Sequence, residues 1–398
     1  MKTLLFVDDE ERLLHGLQRQ LRPLHEEWDM HFVTNGPAAL DFMAGRRVEV
    51  IVTDMMMPGM DGAQLLTEVA RRHPHAVRMV LSGHAEREAI LRLVGLAHQY
   101  LSKPCPMEEL RLAIVRAFAL RDLLGNDPLK RLTARIKALP TLPATRSQLL
   151  KELDQNIPSL PRVGELISRD IGMTAKIMQM VNSAFFGLPR QLTNPTEAVA
   201  YLGISTVRAL VLSVEIFAQF DPQLCRWFSL EVLEWHSWLT GLLARRVAHL
   251  EHQSQQMLDQ CFLAGLMHDV GQLVLASSLP QEYSLIIAQA REQNRPIREV
   301  EQTVLGASHA EVGAYLLGLW GLPNPIIEAV ALHHEPARSA TLQFSPVLAA
   351  HVADALIHER QRAATEDPPV LDLAYLEKIG LAGRIESWRA ECLKEDTV

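Results

Sequence analysis

Short apolar runs and longer amphipathic segments alternate along the N-terminal part of the chain. The apolar runs lie at residues 4–7, 50–53, 79–81 and 99–102. Continuous apolar runs of this length are typical of strands that are buried on both faces of a parallel sheet. Segments with apolar residues at helical spacing lie at residues 10–21, 37–43, 63–72, 86–93 and 107–123. The alternation predicts an α/β domain with a doubly wound parallel sheet.

Polar side chains follow the ends of these apolar runs. Asp8 and Asp9 follow the first run, Asp54 the second, Ser82 the third and Lys103 the fourth. Because the carboxyl ends of parallel strands meet at one edge of a sheet, we expect these groups to lie together. Crowded carboxylates repel one another, and a hard cation with oxygen ligands, such as Mg²⁺, relieves that repulsion. Asp54 can then attack a phosphoryl donor while Mg²⁺ and Lys103 neutralise the transferring group.

This order of residues resembles the receiver domain of response regulators, over about the first 120 residues. The resemblance implies a five-stranded sheet, a sensor histidine kinase as partner and phosphorylation of Asp54. It also implies that Asp8 and Asp9 form the acidic pair, with Asp9 as a direct Mg²⁺ ligand. The remaining implied roles are the backbone carbonyl of Met56 as a third Mg²⁺ ligand, Ser82 as switch hydroxyl, Tyr100 as switch aromatic, and Lys103 as phosphate partner before a cis Pro104.

The strand pattern disappears after residue 139, and helical spacing dominates from there on. The predicted helices lie at residues 146–153, 161–168, 174–183, 205–220, 230–251 and 257–279. We therefore predict a receiver domain at residues 1–122, a helical linker at 123–139, an all-helical domain at 140–362 and a partly helical tail at 363–398. The basic linker, at residues 129–139, is either a solvated helix or a helix that dimerises or transmits a signal.

Four motifs in the helical region resemble the HDOD domain. They are LPTLP at residues 139–143, ISRDIGMTAK at 167–176, VNSAFFG at 181–187 and AVAYLG at 198–203. Asp170 and Thr174 are typical of capping residues at the start of a helix. We therefore interpret most of the positions in these motifs as structural.

A set of histidines and aspartates lies on or beside the later helices. Its members are His236, His268, Asp269, His309, His333, His334 and Asp354. Imidazoles and carboxylates from facing helices are ligands of transition metals in helical proteins, and such metals can activate water against a phosphodiester.

The set resembles the HD superfamily of metal-dependent phosphohydrolases, especially its HD-GYP branch, to which HDOD proteins are related. The resemblance implies one or two metals among Fe, Mn, Zn and Ni. The first metal would be held by His236, His268, Asp269 and Asp354, and the second by His309, His333 and His334.

Two departures from the HD-GYP pattern favour a non-enzymatic role. Gln272 stands where that pattern has a lysine, and the Gly-Tyr-Pro signature is replaced at residues 336–338. Val232 stands where a third metal would need a glutamate, so we expect no third metal. We therefore predict an HDOD output module that acts through protein–protein contact. The alternative, favoured by the intact ligand set, is a phosphorylation-regulated phosphohydrolase acting on a cyclic dinucleotide or another phosphodiester.

Composition narrows the range of functions. A net charge of −8 and the lack of a helix-turn-helix pattern argue against nucleic-acid binding. The four cysteines form no CxxC pair, which argues against a zinc knuckle. We also expect no signal peptide, no membrane span and a cytoplasmic location. The sequence leaves open the downstream partner and homodimer formation. Surface or edge positions are predicted for His15, His25, His31, His73, His75, His84, His98, His249, His252, His351 and His358.

Overall fold

The structure, a computed structural model, forms two compact units. One consists of Met1–Ala138, Gln179–Arg190 and Gly318–Gly321, and the other of Leu139–Met178, Gln191–Leu317 and Leu322–Val398. The residues that the structure describes are 2–83, 96–123, 139–183, 190–212, 228–360 and 371–392, with a few isolated positions between them. The predicted helix at 86–93, most of the connector at 129–139 and the end of the HDOD motif at 184–187 lie outside the described residues.

The first unit contains a five-stranded parallel sheet, which confirms the predicted fold class. The strands are β1 (Lys2–Val7), β2 (Trp28–Val33), β3 (Val50–Asp54), β4 (Val77–Gly83) and β5 (Gln99–Lys103). Their order is β2-β1-β3-β4-β5. Strand β2 was not predicted from the sequence, because this strand has no continuous apolar run. It lies at the edge of the sheet, and only Trp28 within it is fully buried. The central strand β3 is buried along its whole length, as its continuous apolar run predicts.

Four helices of the first unit agree with the predicted segments to within a few residues. They are α1 (Glu11–Leu21), α2 (Gly36–Gly45), α3 (Gly62–Arg72) and α4 (Met107–Leu123). Local side-chain bonds mark two of their starts. Asn35 accepts from the backbone N–H of Ala38 at the start of α2, and Asp61 and Gln64 form a reciprocal capping box at α3. The peptide bond between Lys103 and Pro104 is cis, as predicted.

The second unit is helical, as predicted, apart from a short parallel pair of strands, β6 (Leu139–Pro140) and β7 (Phe217–Ala218). Its described helices before the histidine set are α5 (Pro143–Leu153), α6 (Leu160–Ser168), α7 (Ile171–Val181), α8 (Pro195–Leu202) and α9 (Ile204–Leu212). The single helix predicted at 205–220 is wrong at its C-terminal end, because Phe217 and Ala218 pair as a strand with the LPTLP motif instead.

Asp170 caps α7 as predicted, whereas the capping role predicted for Thr174 is wrong. The carboxylate of Asp170 accepts from the backbone N–H of Met173 at 2.8 Å and from that of Leu142 at 3.1 Å. Thr174 lies inside the helix, and its hydroxyl donates to the carbonyl of Ile167 at 2.7 Å. The aspartate thus ties the ISRDIGMTAK motif to the LPTLP motif.

The remaining helices surround the histidine set. They are α10 (Leu230–Leu250), α11 (Gln255–Met267), α12 (Val270–Ser278), α13 (Pro280–Gln293), α14 (Ile297–Leu305), α15 (His309–Leu319), α16 (Asn324–Leu332), α17 (Pro346–Arg360), α18 (Leu373–Lys378) and α19 (Ile385–Cys392). The single helix predicted at 257–279 is wrong, because it breaks between α11 and α12 at His268 and Asp269. The break directs both side chains of this pair toward the set of histidines and aspartates.

The core of the second unit joins α10, α11 and α17 to the C-terminal helices. Leu243, Val352 and Trp388 belong to one cluster of buried side chains, and the indole N–H of Trp388 donates to Glu251 at 2.8 Å. The apolar segment Gln255–Ser278 is long enough to cross a membrane, but 83% of its most apolar window is buried in this unit. Its composition is therefore explained by its place in the core.

Candidate phosphoryl-transfer and metal sites

The register of the sheet brings the predicted acidic and basic residues to one edge. Val7 pairs with Thr53, so that Asp8 and Asp54 follow side by side, and Gly83 pairs with Lys103 at the end of the neighbouring strands. The ammonium group of Lys103 lies 2.6 Å from Asp54 Oδ1 and 2.7 Å from Asp8 Oδ2. One cation therefore bridges two carboxylates at the carboxyl edge of the sheet.

Burial and the ion pairs between Lys103 and the two carboxylates have opposite effects on the pKa values at this edge. Burial raises the pKa of Asp54 above its ordinary value, although the hydrogen bond and charge of Lys103 oppose the change. Burial by itself would lower the pKa of Lys103, but the hydrogen bonds and charges of Asp54 and Asp8 outweigh it and raise that pKa. A further cation near Asp54 would therefore favour its ionised, nucleophilic form.

The other predicted receiver residues take different positions. Asp9 is exposed at the rim of the site. One carboxylate oxygen of Asp8, one of Asp9 and one of Asp54 lie within 4.8 Å of one another. Three oxygen ligands at such spacing fit Mg²⁺. Met56 follows in the loop after β3 with an exposed side chain, and Tyr100 is buried within β5. Ser82 lies on β4 opposite Ser102, but its side chain lies outside the described part of the structure.

The seven predicted ligands of the helical unit come together as two adjoining clusters. The first consists of His236, His268 and Asp354, and the second of Asp269, His309, His333 and His334. In each cluster one ligand atom per residue lies within 4.8 Å of the others. Asp269 faces both clusters, because its Oδ2 lies 3.2 Å from His268 Nε2 and its Oδ1 lies 3.2 Å from His309 Nε2. A carboxylate in this position can bridge two metals.

Hydrogen bonds at the outer ring nitrogens direct the inner ones toward the cluster centres. Nδ1 of His268 donates to the carbonyl of Gly265 at 2.7 Å, and Nδ1 of His333 donates to that of Val330 at 2.9 Å. Each neutral ring therefore presents the lone pair of Nε2 inward. Nε2 of His268 lies 3.2 Å from Nε2 of His236, and Nε2 of His333 is buried without a hydrogen-bond partner among the described residues. Two ring nitrogens that face each other, and a buried ring nitrogen without a hydrogen-bond partner among the described residues, fit a site built for transition metals.

Three supporting residues in the helical unit were not found from the sequence. Glu301 is fully buried on α14, and its Oε2 accepts from His309 Nδ1 at 2.7 Å. The hydroxyl of Tyr283 donates to Oε1 of the same carboxylate at 2.8 Å. His358 Nδ1 lies 3.1 Å from Asp354 Oδ1, one helical turn away. The one sequence signal for Glu301 is its place beside Val300, on the buried side of an amphipathic helix.

Two histidines predicted at the surface are buried instead, so those predictions are wrong. His351 donates from Nδ1 to the carbonyl of His333 at 2.8 Å, and its Nε2 accepts from the backbone N–H of Asp372 at 3.0 Å. His98, in the first unit, accepts at Nδ1 from the backbone N–H of Arg78 at 2.9 Å. Both rings are kept in the interior because their polar atoms have partners there.

Protons are unevenly distributed among the rings of the clusters. Burial alone would lower the pKa of His268, but the charge of Asp269 outweighs it and raises that pKa to about 9. Burial would also lower the pKa of His309, but Glu301 and Asp269 raise it to about 10. Burial and the neighbouring imidazoles lower the pKa of His333 to about 3. The metal-free network therefore holds protons on His268 and His309, and these protons compete with metal binding.

Gly271 allows α12 to approach the start of α15 at the clusters. A Cβ atom at this position would overlap the backbone carbonyl of His309. We expect Gly271→Ala to lower the free energy of unfolding by about 1–3 kcal/mol, because the two backbones must separate. Chemical denaturation checks this. Gly383→Ala is the matched control, because a Cβ there meets no atom within 4 Å. Equal effects of the two substitutions would show that the close approach is not required.

Two family models match separate parts of the chain. The model described as response regulator receiver domain matches residues 4–115, and the model described as HDOD domain matches residues 139–336.

Individual relatives match smaller parts. An uncharacterized protein of Treponema pallidum is 26% identical over 203 residues, which are 50% of this chain and 38% of that protein. The hydrogenase transcriptional regulatory protein HoxA of Cupriavidus necator is 35% identical over 126 residues, which are 31% of this chain and 26% of HoxA. The chain therefore spans less than half the length of these two curated relatives. The crystal structure of a virulence factor from Campylobacter jejuni shares the fold, with 21% identity, a TM-score of 0.51 and coverage of 68% of this chain and 99% of that one.

Proposed function

Because this chain belongs to the response regulators that join a receiver domain to an HDOD domain, we propose that a sensor histidine kinase phosphorylates Asp54. The observation that carries the proposal is the bridge of Lys103 between Asp54 and Asp8, at 2.6 and 2.7 Å. It holds the acceptor carboxylate at the edge of the sheet beside an amine that can neutralise an incoming phosphoryl group. Mg²⁺ would be held by Asp8, Asp9, Asp54 and the backbone carbonyl of Met56.

The transfer uses the side chains of this edge directly. An oxygen of ionised Asp54 attacks the phosphorus, and the new O–P bond forms as the P–N bond to the phosphohistidine of the kinase breaks. The electron pair of that bond returns to the imidazole of the kinase. Lys103 then pairs with the phosphoryl oxygens in place of Asp54, and Ser82 and Tyr100 respond as the switch residues. Mg²⁺ held by the acidic residues would supply charge neutralisation at the transferring group.

The signal then passes to the HDOD module, which acts through contact with another protein. Gln272 supports this output, because the position offers no cation for a substrate phosphate, and residues 336–338 form a 3₁₀ turn without the Gly-Tyr-Pro signature.

Removal of Mg²⁺ tests the first step. Labelling of the full chain by a small radioactive phosphodonor should fall at least tenfold when EDTA is added, and excess Mg²⁺ should restore it. A tenfold fall in rate corresponds to a rise of only about 1.4 kcal/mol in the activation free energy. Asp9→Asn should weaken the binding of Mg²⁺ and therefore shift half-saturation of labelling to higher Mg²⁺ concentrations. Glu11→Gln, an exposed change at the start of α1, is the control. Labelling that is indifferent to EDTA would contradict the proposed Mg²⁺ site.

The paired clusters of the helical unit favour a second candidate, a metal-dependent phosphohydrolase regulated by the receiver. The observation that carries it is Asp269, whose two oxygens lie 3.2 Å from His268 and His309 of different clusters. A metal pair bound there would supply Lewis-acid activation of water. An assay of metal-loaded protein with cyclic dinucleotides and a chromogenic phosphodiester separates the two candidates. Turnover that follows bound metal supports the enzyme, and full loading without turnover supports the protein-contact role.

A further inference from the structure

Glu301 is a buried carboxylate whose environment is organised around one cluster residue. Its Oε2 accepts two hydrogen bonds from His309, from the backbone N–H and from ring Nδ1, both at 2.7 Å. Its Oε1 accepts from the hydroxyl of Tyr283 at 2.8 Å. Glu301 and Tyr283 are both fully buried. Burial of a carboxylate is costly unless its oxygens are bonded, so three bonds to two residues indicate a built arrangement.

The geometry of His309 explains what the arrangement does. A carboxylate can only accept from Nδ1, so Nδ1 carries a hydrogen. When the ring gives up its other proton, the lone pair that it can offer to a metal is on Nε2. That Nε2 points into the second cluster, 3.0 Å from His334 Nε2 and 3.2 Å from Asp269 Oδ1. A carboxylate behind a ligating imidazole fixes the ring and raises its basicity toward a metal.

We propose that Glu301, held in place by Tyr283, is a positioning residue that orients His309 as a metal ligand of the second cluster. The inference rests on the metal centre of the second candidate function. Glu301 touches no metal-facing atom itself and acts through the ring of His309. The first cluster has a different support, because Nδ1 of His268 donates to the backbone carbonyl of Gly265. Removal of Glu301 should therefore weaken one cluster and spare the other.

Titration of the metal-free full chain with Co²⁺ tests this assignment, because Co²⁺ reports imidazole ligation by its visible absorption. Glu301→Ala should weaken one of the two binding steps by about 10–100-fold and leave the other unchanged, as expected when the support of a metal-bound histidine is lost. Glu301→Gln should keep most of the affinity, because an amide oxygen can still accept from Nδ1. Glu299→Ala, an exposed change on the same helix, should match the wild type.

A purely structural role for Glu301 predicts a different pattern. Loss of the bond to the backbone N–H of His309 would then lower the melting temperature of the metal-free protein, without changing the rise that Co²⁺ produces. Tyr283→Phe keeps the buried ring, so it reports on the network if Glu301→Ala fails to fold. It should weaken one of the two Co²⁺ binding steps and leave the other unchanged. The inference would be overturned if both Co²⁺ binding steps of Glu301→Ala had wild-type affinities, or those of Tyr283→Phe if Glu301→Ala does not fold. The proposed metal centre would survive that outcome. A wild-type chain that binds no Co²⁺ would overturn the metal centre and the inference with it.

Discussion

Asp54→Asn is expected to reduce labelling by a small phosphodonor to background, because the amide cannot serve as the attacking carboxylate. Asparagine has nearly the same shape, so the sheet edge should keep its structure. The change also removes one of the two carboxylates that Lys103 bridges. Phosphoryl incorporation into the full chain measures the effect. The incorporated label is then divided into acid-stable and acid-labile fractions.

Asp41→Asn is the matched control for this experiment. Asp41 is exposed on α2 of the same unit, so its loss changes the net charge equally without touching the sheet edge. Its labelling should equal that of the wild type. Persistent labelling of Asp54→Asn at the wild-type level would show that another residue is the acceptor, and Asp8 and Asp9 would then be the residues to substitute next.

Asp269→Ala is expected to abolish metal binding at both clusters of the helical unit, from about two ions per chain to none, because this carboxylate faces both clusters and would bridge a metal pair bound there. Its oxygens face His268 on one side and His309 on the other, each at 3.2 Å. His236→Ala should remove only the metal of the first cluster. Elemental analysis for Fe, Mn, Zn and Ni after expression in metal-rich medium measures the difference.

His249→Ala and Asp259→Ala control for the loss of an imidazole and of a carboxylate in the same unit. His249 is exposed on α10, the helix that carries His236, and both controls should keep full metal content. In the wild type, affinity should fall as the pH is lowered below about 9, since protons on His268 then compete with the metal. Equal metal content in Asp269→Ala and the wild type would contradict the paired metal site.

Local patterns were sufficient for the framework of both units. Apolar runs of strand length and helical spacing predicted the parallel sheet and most helix positions, because burial on two faces and on one face leave different periods in a sequence. The order of Asp8, Asp54 and Lys103 predicted their meeting, because the ends of parallel strands must share one edge. The histidine set was likewise visible as histidines and aspartates on or beside successive helices.

The partners of those residues depend on helix packing, which no local pattern records. Glu301 stands eight residues before His309, and Tyr283 stands eighteen residues before Glu301, outside the motifs that suggested the site. The three side chains meet only because α13, α14 and α15 pack together. The break at His268 was hidden within a continuous apolar segment, where a buried helix and a buried turn look alike. The sequence therefore determines the candidate ligands and their order, whereas the tertiary structure decides which ring nitrogen faces inward, since that depends on the group packed behind each ring.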